Sequence, residues 1–323
     1  MIIEIIICEV NLKILVVGTG AIGSCYGGAL YKDGNDVIFL ARGNNLKVIN
    51  SRGLSIKSAK LGDFNIMPKV TDSLKGDWKA DLILYCVKSF HNDNAVPLLA
   101  PAINSDTRIL TLQNGLGSGD LLANKYGNHK LLLGAAYIDA KLKEHGVAEE
   151  LGGPFKIVFG QEDNLKSDKT LEIENVLKSA GIEADLSEDI LLALWSKLAL
   201  ICALSGMSCI TRGSAYEILT NAKTLELSWR VMREVGDVAR GKGVSLTEDK
   251  INSIMDQFKK NMHASSSSMY LDLISGNRLE VNVLNGIVVE YGKELGIPTP
   301  INEFITYCLS IQDNRAKSNN SNS

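Results

Sequence analysis

The chain lacks paired cysteines at metal-ligand spacing, a histidine cluster, and a strong charge of either sign, and it is poor in proline. Its six cysteines (Cys8, Cys25, Cys86, Cys202, Cys209, Cys308) are scattered without a C-x-x-C. In 323 residues that excludes a disulfide scaffold and predicts buried free thiols in a reducing, cytoplasmic compartment. The four histidines (His91, His129, His145, His263) form no H-E-x-x-H, so no structural or catalytic zinc is expected. Six prolines, 29 glycines, 45% hydrophobic and 22% charged residues exclude collagen, coiled coil and disorder. With 34 basic against 37 acidic residues, the net charge is −3. No whole-chain field attracts nucleic acid or an anionic membrane, and Lys259-Lys260 and Arg230 with Arg233 are interleaved with acids, as on solvated helix faces. No stretch approaches the roughly eighteen uncharged apolar residues of a membrane span. Residues 1–10 are apolar but carry Glu4 and Glu9 and no basic region; they read as an extension leading into the first strand, not a signal peptide. The Ser- and Asn-rich tail 313–323 reads as a frayed terminus.

The length points to two domains. In the first half, short β-branched runs alternate with helical segments. Lys13–Val17 (KILVV) and Asp36–Leu40 (DVIFL) read as strands flanking a helix over Ala21–Lys32. A helical piece over 44–51, irregular or hairpin chain over 54–70, and buried strands at 81–87 (DLILYCV) and 107–112 (TRILTL) follow. Continuous apolar strands separated by helices imply a parallel sheet covered on both faces. From 131 to 160 the β-like stretches lengthen, which predicts an antiparallel addition to that sheet. The second half is mostly helical: 189–203 is apolar nearly all round, as a core helix is. Residues 220–240, 247–261 and 280–295 also carry helical periodicity. The expected fold is α/β, a Rossmann dinucleotide-binding domain over 1–188 followed by a mostly α-helical substrate domain over 189–323. The apolar helices of the second half leave a homodimer interface open.

Gly18-Thr19-Gly20-Ala21-Ile22-Gly23 follows the first strand and opens the first helix. Gly18 permits the tight turn, Gly20 lets backbone approach a pyrophosphate, Gly23 allows close helix–strand packing, and the helix N-terminus offers N–H groups to the anion. The G-x-G-x-x-G spacing alone could be structural; its strand–turn–helix context points to a dinucleotide. NAD-binding folds place an acid at the end of the second strand. Here the residues are Phe39-Leu-Ala-Arg42, and an arginine there pairs with a 2′-phosphate. NADPH is therefore expected over NADH, against the alternative of a solvated surface arginine.

Further motifs follow in order: Cys86-Val-Lys88, Leu112-Gln-Asn114-Gly115, Trp195-Ser-Lys197-Leu, then Ser268-Met269, Asp272, Glu280 and Asn285-Gly286. With the glycine loop and Arg42, they resemble the ketopantoate (2-dehydropantoate) 2-reductases from Lys13 to about Leu309. The resemblance implies NADPH-dependent reduction of 2-dehydropantoate to (R)-pantoate, a step of pantothenate and coenzyme A synthesis. It makes Lys88 and Asn114 cofactor-binding, with Asn114 also close to the substrate. Lys197 becomes the general acid at the substrate carbonyl, Glu280 its partner at the substrate oxygen, and Ser268 a donor to the substrate carboxylate. Lys88 and Asn114 also lie just past the C-terminal ends of expected parallel strands, where such sheets bind ligands; the alternatives without the resemblance are a surface lysine, a turn at Asn114-Gly115, and for Lys197 a lysine snorkelling from its helix. Glu280 is then an acid at a helix start, and Ser268 lies in a serine-rich loop. Gly117 and Gly119 read as the start of a helix rather than a second phosphate loop, and Asp272 as a support of its segment.

One stretch departs from the family. Where the pathway enzymes commonly carry Asn four and eight residues after the lysine, this chain has Ile201 and Ser205. Losing an amide contact costs about 1–3 kcal/mol, so another branched keto acid is an alternative substrate. Arg212 then stands either as a carboxylate contact or as a helix-end salt bridge. A cofactor-binding regulatory protein without turnover is the third reading, which the presence of Lys197 and Glu280 opposes.

Overall fold

The computed structural model describes residues 11–260 and 267–321. The apolar stretch 1–10 and the serines Ser265 and Ser266 lie outside the described residues. The chain divides into two units: Met1–Gln113 with Gly119–Ile190, and Asn114–Ser118 with Leu191–Ser323.

In the first unit, β1 (Lys13–Val17), α1 (Ala21–Lys32), β2 (Asp36–Leu40) and α2 (Gly43–Arg52) begin a parallel sheet. Then come β3 (Leu54–Ser58), β4 (Phe64–Ile66), β5 (Lys69–Thr71), β6 (Leu82–Tyr85), a 3-10 turn Ser89–His91, the short α3 (Asn92–Ala95), and β7 (Arg108–Thr111). After α4 (Ser118–Tyr126) the long strands β8 (Leu131–Glu144) and β9 (Val147–Gly160) form a hairpin, followed by α5 (Asp168–Ser179) and β10 (Glu183–Leu186). The sheet order is β4-β3-β9-β8-β7-β6-β1-β2-β5, with β10 beside β9. The run β5-β2-β1-β6-β7-β8 is parallel throughout, and its order reverses at β1, the switch point at which such sheets bind ligands.

Strand alternation gives this sheet two apolar faces. Ile14 and Val16 pack with Tyr26, Ala29 and Leu30 of α1, while Leu15 and Val17 pack with Ala95, Leu99 and Leu122 on the other side. The expected antiparallel addition is the β8–β9 hairpin, but β8 itself pairs parallel to β7. The chain over 54–70 resolves into an antiparallel β3–β4 hairpin and the parallel edge strand β5.

The second unit holds α6 (Ile190–Thr211), α7 (Ala215–Thr220), α8 (Ala222–Gly241), α9 (Glu248–Lys260), α10 (Ser268–Ile274), α11 (Asn285–Leu295) and α12 (Pro300–Ser321). α6 runs eight residues past the expected end at Ala203, because nothing up to Thr211 breaks a helix. Gly206 inside it is closely packed: a Cβ there would lie 3.1 Å from the side chains of Asn285 and Ile305, which would have to give way by a few tenths of an ångström. With a mean hydropathy of 1.9, α6 is long and apolar enough to cross a membrane, unlike the sequence expectation. Yet Trp195, Leu198, Ala199, Cys202, Ala203 and Met207 are buried in the helical core. The tail expected to fray continues α12 to Ser321, and Asp313 on it is only 5% exposed. The helix expected over 280–295 is interrupted: a 3-10 turn Val281–Val283 precedes α11, separated by Leu284 at φ −103°, ψ −105°.

Candidate active site

At the C-terminal end of β1, Gly18 takes φ +98°, a conformation that glycine reaches without strain, and its N–H donates to the Leu40 carbonyl at 3.1 Å. A Cβ on Gly23 would come within 2.1 Å of the Gly18 carbonyl oxygen, so the turn itself demands that glycine. Gly20 differs: a Cβ there meets nothing within 4 Å. It is the N-cap of α1, whose first turn holds no acid. Thr19 is buried, and Ala21 and Ile22 are half-buried beside it. This open, positively polarised backbone edge fits the diphosphate of a dinucleotide.

Arg42 caps the start of α2 and is exposed. No acid lies between Val37 and Arg52, and the first turn of α2 contains none. The guanidinium Nη2 lies 2.8 Å from Nδ1 of His91. Lys88, half-buried, starts the turn that His91 closes, after β6. That loop is pinned from below. Gln113 Nε2 donates to the Val87 carbonyl and to Asn92 Oδ1, both at 2.8 Å, and the Tyr85 hydroxyl donates to Asn92 Oδ1 at 3.1 Å. Gln113 Oε1 is buried with no hydrogen-bond partner among the described residues, an acceptor at the ligand-binding edge of the sheet.

In the helical unit, Lys197 Nζ donates to Asn114 Oδ1 at 2.8 Å. Gly115 at φ +83° turns the chain away, and its missing Cβ would lie 2.0 Å from the Val283 carbonyl oxygen. The Leu116 N–H donates to that same oxygen at 3.2 Å. This contact fixes segment 280–284, and with it Glu280, which is 5% exposed. Loss of solvation pushes the Lys197 pKa down to about 8, and the nearby Glu280 carboxylate partly opposes that shift.

Two polar anchors hold the segment carrying Glu280. Upstream, Asp313 accepts from the Leu279 N–H at 2.8 Å and pairs with Arg278 at 3.1 Å. Downstream, Asn285 Nδ2 donates to the Cys202 carbonyl of α6 at 3.3 Å and to Asn302 Oδ1 at 2.9 Å. Asn302 Nδ2 in turn donates to Glu234 Oε2 at 2.8 Å.

Of the expected site residues, the structure brings Asn114, Lys197 and Glu280 together. Ser268 starts α10 with an exposed side chain, while Ser267 caps that helix by accepting from the Tyr270 N–H at 3.2 Å. Asp272 accepts from Asn277 Nδ2 at 3.4 Å within its own segment. Ile201, half-buried, stands one turn beyond Lys197, and Ser205, one turn further, is 2% exposed. Arg212 ends α6 at φ +60°, and its carbonyl accepts from the Tyr270 hydroxyl at 3.2 Å. Sequence reasoning missed His91, Gln113, Asn302 and Asp313. Gln113 lies inside the Leu112-Gln-Asn114-Gly115 motif, and His91 three residues beyond Lys88; nothing local marks the other two.

Residues 14–164 match the family model "Ketopantoate reductase PanE/ApbA", and residues 189–312 match "Ketopantoate reductase PanE/ApbA C terminal". The chain is 30% identical over 298 residues to the 2-dehydropantoate 2-reductase of Pyrococcus horikoshii, covering 92% of this chain and 96% of that protein. Its fold is similar to the 2-dehydropantoate 2-reductase of Geobacter metallireducens, with TM-score 0.86 and 27% identity over 92% of this chain and 98% of the other. It is similar in fold also to a D-mandelate dehydrogenase solved with NADH and anilino(oxo)acetate, with TM-score 0.86 at 20% identity over 94% of this chain and 99% of the other.

Proposed function

The chain belongs to the ketopantoate reductase family, and from that premise we propose that it reduces 2-dehydropantoate to (R)-pantoate with NADPH. The observation that carries this reading is the Lys197–Asn114 hydrogen bond at an ammonium whose pKa is lowered to about 8. When bound, a reduced nicotinamide would supply the hydride that C2 of the keto acid gains. Lys197 supplies the proton that the carbonyl oxygen gains. A lysine near pKa 8 is still mostly charged at neutral pH, yet it is a stronger acid than an exposed lysine at about 10.4. Glu280 keeps the ammonium charged between turnovers, and Asn114 directs Nζ through its side-chain oxygen.

The residues around the glycine loop fit the dinucleotide. Gly18, Thr19, Gly20, Ala21, Ile22 and Gly23 would hold the diphosphate at the α1 N-terminus, with Lys88 beside it and Arg42 on the 2′-phosphate. Ser268 would donate to the substrate carboxylate. Ile201 favours a second reading, a branched keto acid lacking the hydroxyl of 2-dehydropantoate, because an apolar side chain one turn from the acid offers no hydrogen bond. NADPH oxidation with 2-dehydropantoate, beside 2-keto acids of similar size without the hydroxyl, decides between them. The first reading expects the highest kcat/KM for 2-dehydropantoate. A hydroxyl-free acid that outperforms it by about tenfold, roughly 1.4 kcal/mol of transition-state stabilisation, overturns the substrate assignment.

A further inference from the structure

A guanidinium paired with a carboxylate makes a pair that is electrically neutral. Here the partner is an imidazole: Arg42 Nη2 lies 2.8 Å from His91 Nδ1. Arg42 can only donate. The geometry therefore requires Nδ1 to accept, with the ring neutral and its proton on Nε2. The contact orients the guanidinium and leaves its charge intact. Among the described residues, this is the guanidinium's one side-chain hydrogen bond. Most of its five donors, including a paired face suited to phosphate, are left for an anion.

The imidazole is itself held in place. The His91 N–H donates to the Lys88 carbonyl at 2.9 Å, and its ring meets Phe90 edge-on, with centroids 4.7 Å apart. The loop beneath is fixed by Gln113, Asn92 and Tyr85. Around the guanidinium, the ten-residue α2 starts without an acid in its first turn. Gly43, at φ +60°, has open space where a Cβ would be. Arg42, an acid-free helix start and uncluttered backbone thus face the same region.

We propose that His91 is a positioning residue for recognition of the cofactor's 2′-phosphate, holding Arg42 through a neutral acceptor and so setting the preference for NADPH over NADH. This rests on the NADPH reading above. A carboxylate at position 91 would orient Arg42 equally well while cancelling its charge and repelling phosphate. A neutral amide would orient it and keep the charge.

Glu and Gln are nearly identical in shape, so His91→Glu and His91→Gln separate the electrostatic role from a structural one. The measurement is the Kd of NADPH and of NADH for wild type, the two variants and Arg42→Ala, read from nucleotide fluorescence. The expected result is His91→Gln within about threefold of wild type for both cofactors, with His91→Glu raising the NADPH Kd roughly tenfold or more while NADH changes little. Equal NADPH affinities for the Glu and Gln variants overturn the proposal. If in that case Arg42→Ala still lowers NADPH affinity selectively, the NADPH reading stands and only the role of His91 falls. If wild type and Arg42→Ala bind NADPH and NADH alike, the NADPH reading fails and the proposal fails with it.

Discussion

Lys197 carries a charge inside an apolar helix, and two effects of opposite sign set its acidity. Desolvation lowers its pKa to about 8, and the Glu280 carboxylate pulls it back up. As the proposed acid, Lys197 must be protonated to act, so the reduction rate should be flat below that value and fall as pH rises through it. In Glu280→Gln, the upward pull is gone and Lys197 loses its proton at lower pH. The alkaline limb of kcat should then move toward neutrality; an unmoved or alkaline-shifted limb in a pH–rate profile would refute the coupling. The lysine stood out in the sequence as a charge in LLALWSKLALICAL. Its hydrogen bond to Asn114, 83 residues away, could not be read from spacing; the family resemblance put both residues near the substrate without joining them. His91 was invisible for a different reason: its partner lies on another strand end, and a lone histidine has no local signature.

At the scale of elements, α12 holds the segment bearing Glu280 at both ends. Asp313 binds the Leu279 N–H, and Asn302 links Asn285 to Glu234. Asn302 is fully buried, and the buried Glu234 accepts from it and from the Ile301 and Asn302 N–H groups. Asn302→Ala would leave Asn285 Nδ2 and the Glu234 carboxylate with fewer partners in the core. Urea denaturation should show a loss of about 1–3 kcal/mol, against a change within about 0.5 kcal/mol for the exposed Ser318→Ala. Equal small effects would mean that the network is not a structural support. The sequence showed β1, β2, β6 and β7 plainly, because strands buried on both faces read as unbroken apolar runs. It did not show that α6 continues to Thr211 or that 313–321 is helical. In 205–211 the serines and Gly206 mask the helical spacing of Met207 and Ile210 after Ala203, and 313–321 offers one apolar residue, Ala316.

Across the whole molecule, a net charge of −3 coexists with a local cationic edge at Arg42 and Lys88. Binding of a 2′-phosphate there, as proposed, would be short-range electrostatics beside the exposed Arg42, so salt should weaken it. Raising ionic strength from about 0.05 to 0.5 M, which shortens the Debye length to a few ångströms, should raise the NADPH Kd more than the NADH Kd. Parallel salt dependence for the two would argue that the 2′-phosphate meets no cation. The two units were legible as a change from alternating strands and helices to helices alone. The assignment of 114–118 to the helical unit was not, because it depends on the contact of Gly115 and Leu116 with Val283 rather than on composition.

Proton delivery by Lys197 to a keto acid reduced by NADPH is the step on which the proposed function rests. Lys197 is not among the residues proposed to hold the dinucleotide, so its loss should spare cofactor binding. The direct measurement is NADPH oxidation with 2-dehydropantoate for wild type and Lys197→Ala, alongside the NADPH Kd of each. The account predicts a fall in kcat of about 100-fold or more with the Kd within roughly threefold of wild type. A variant that keeps kcat within about tenfold of wild type, a barrier change of only some 1.4 kcal/mol, would contradict it.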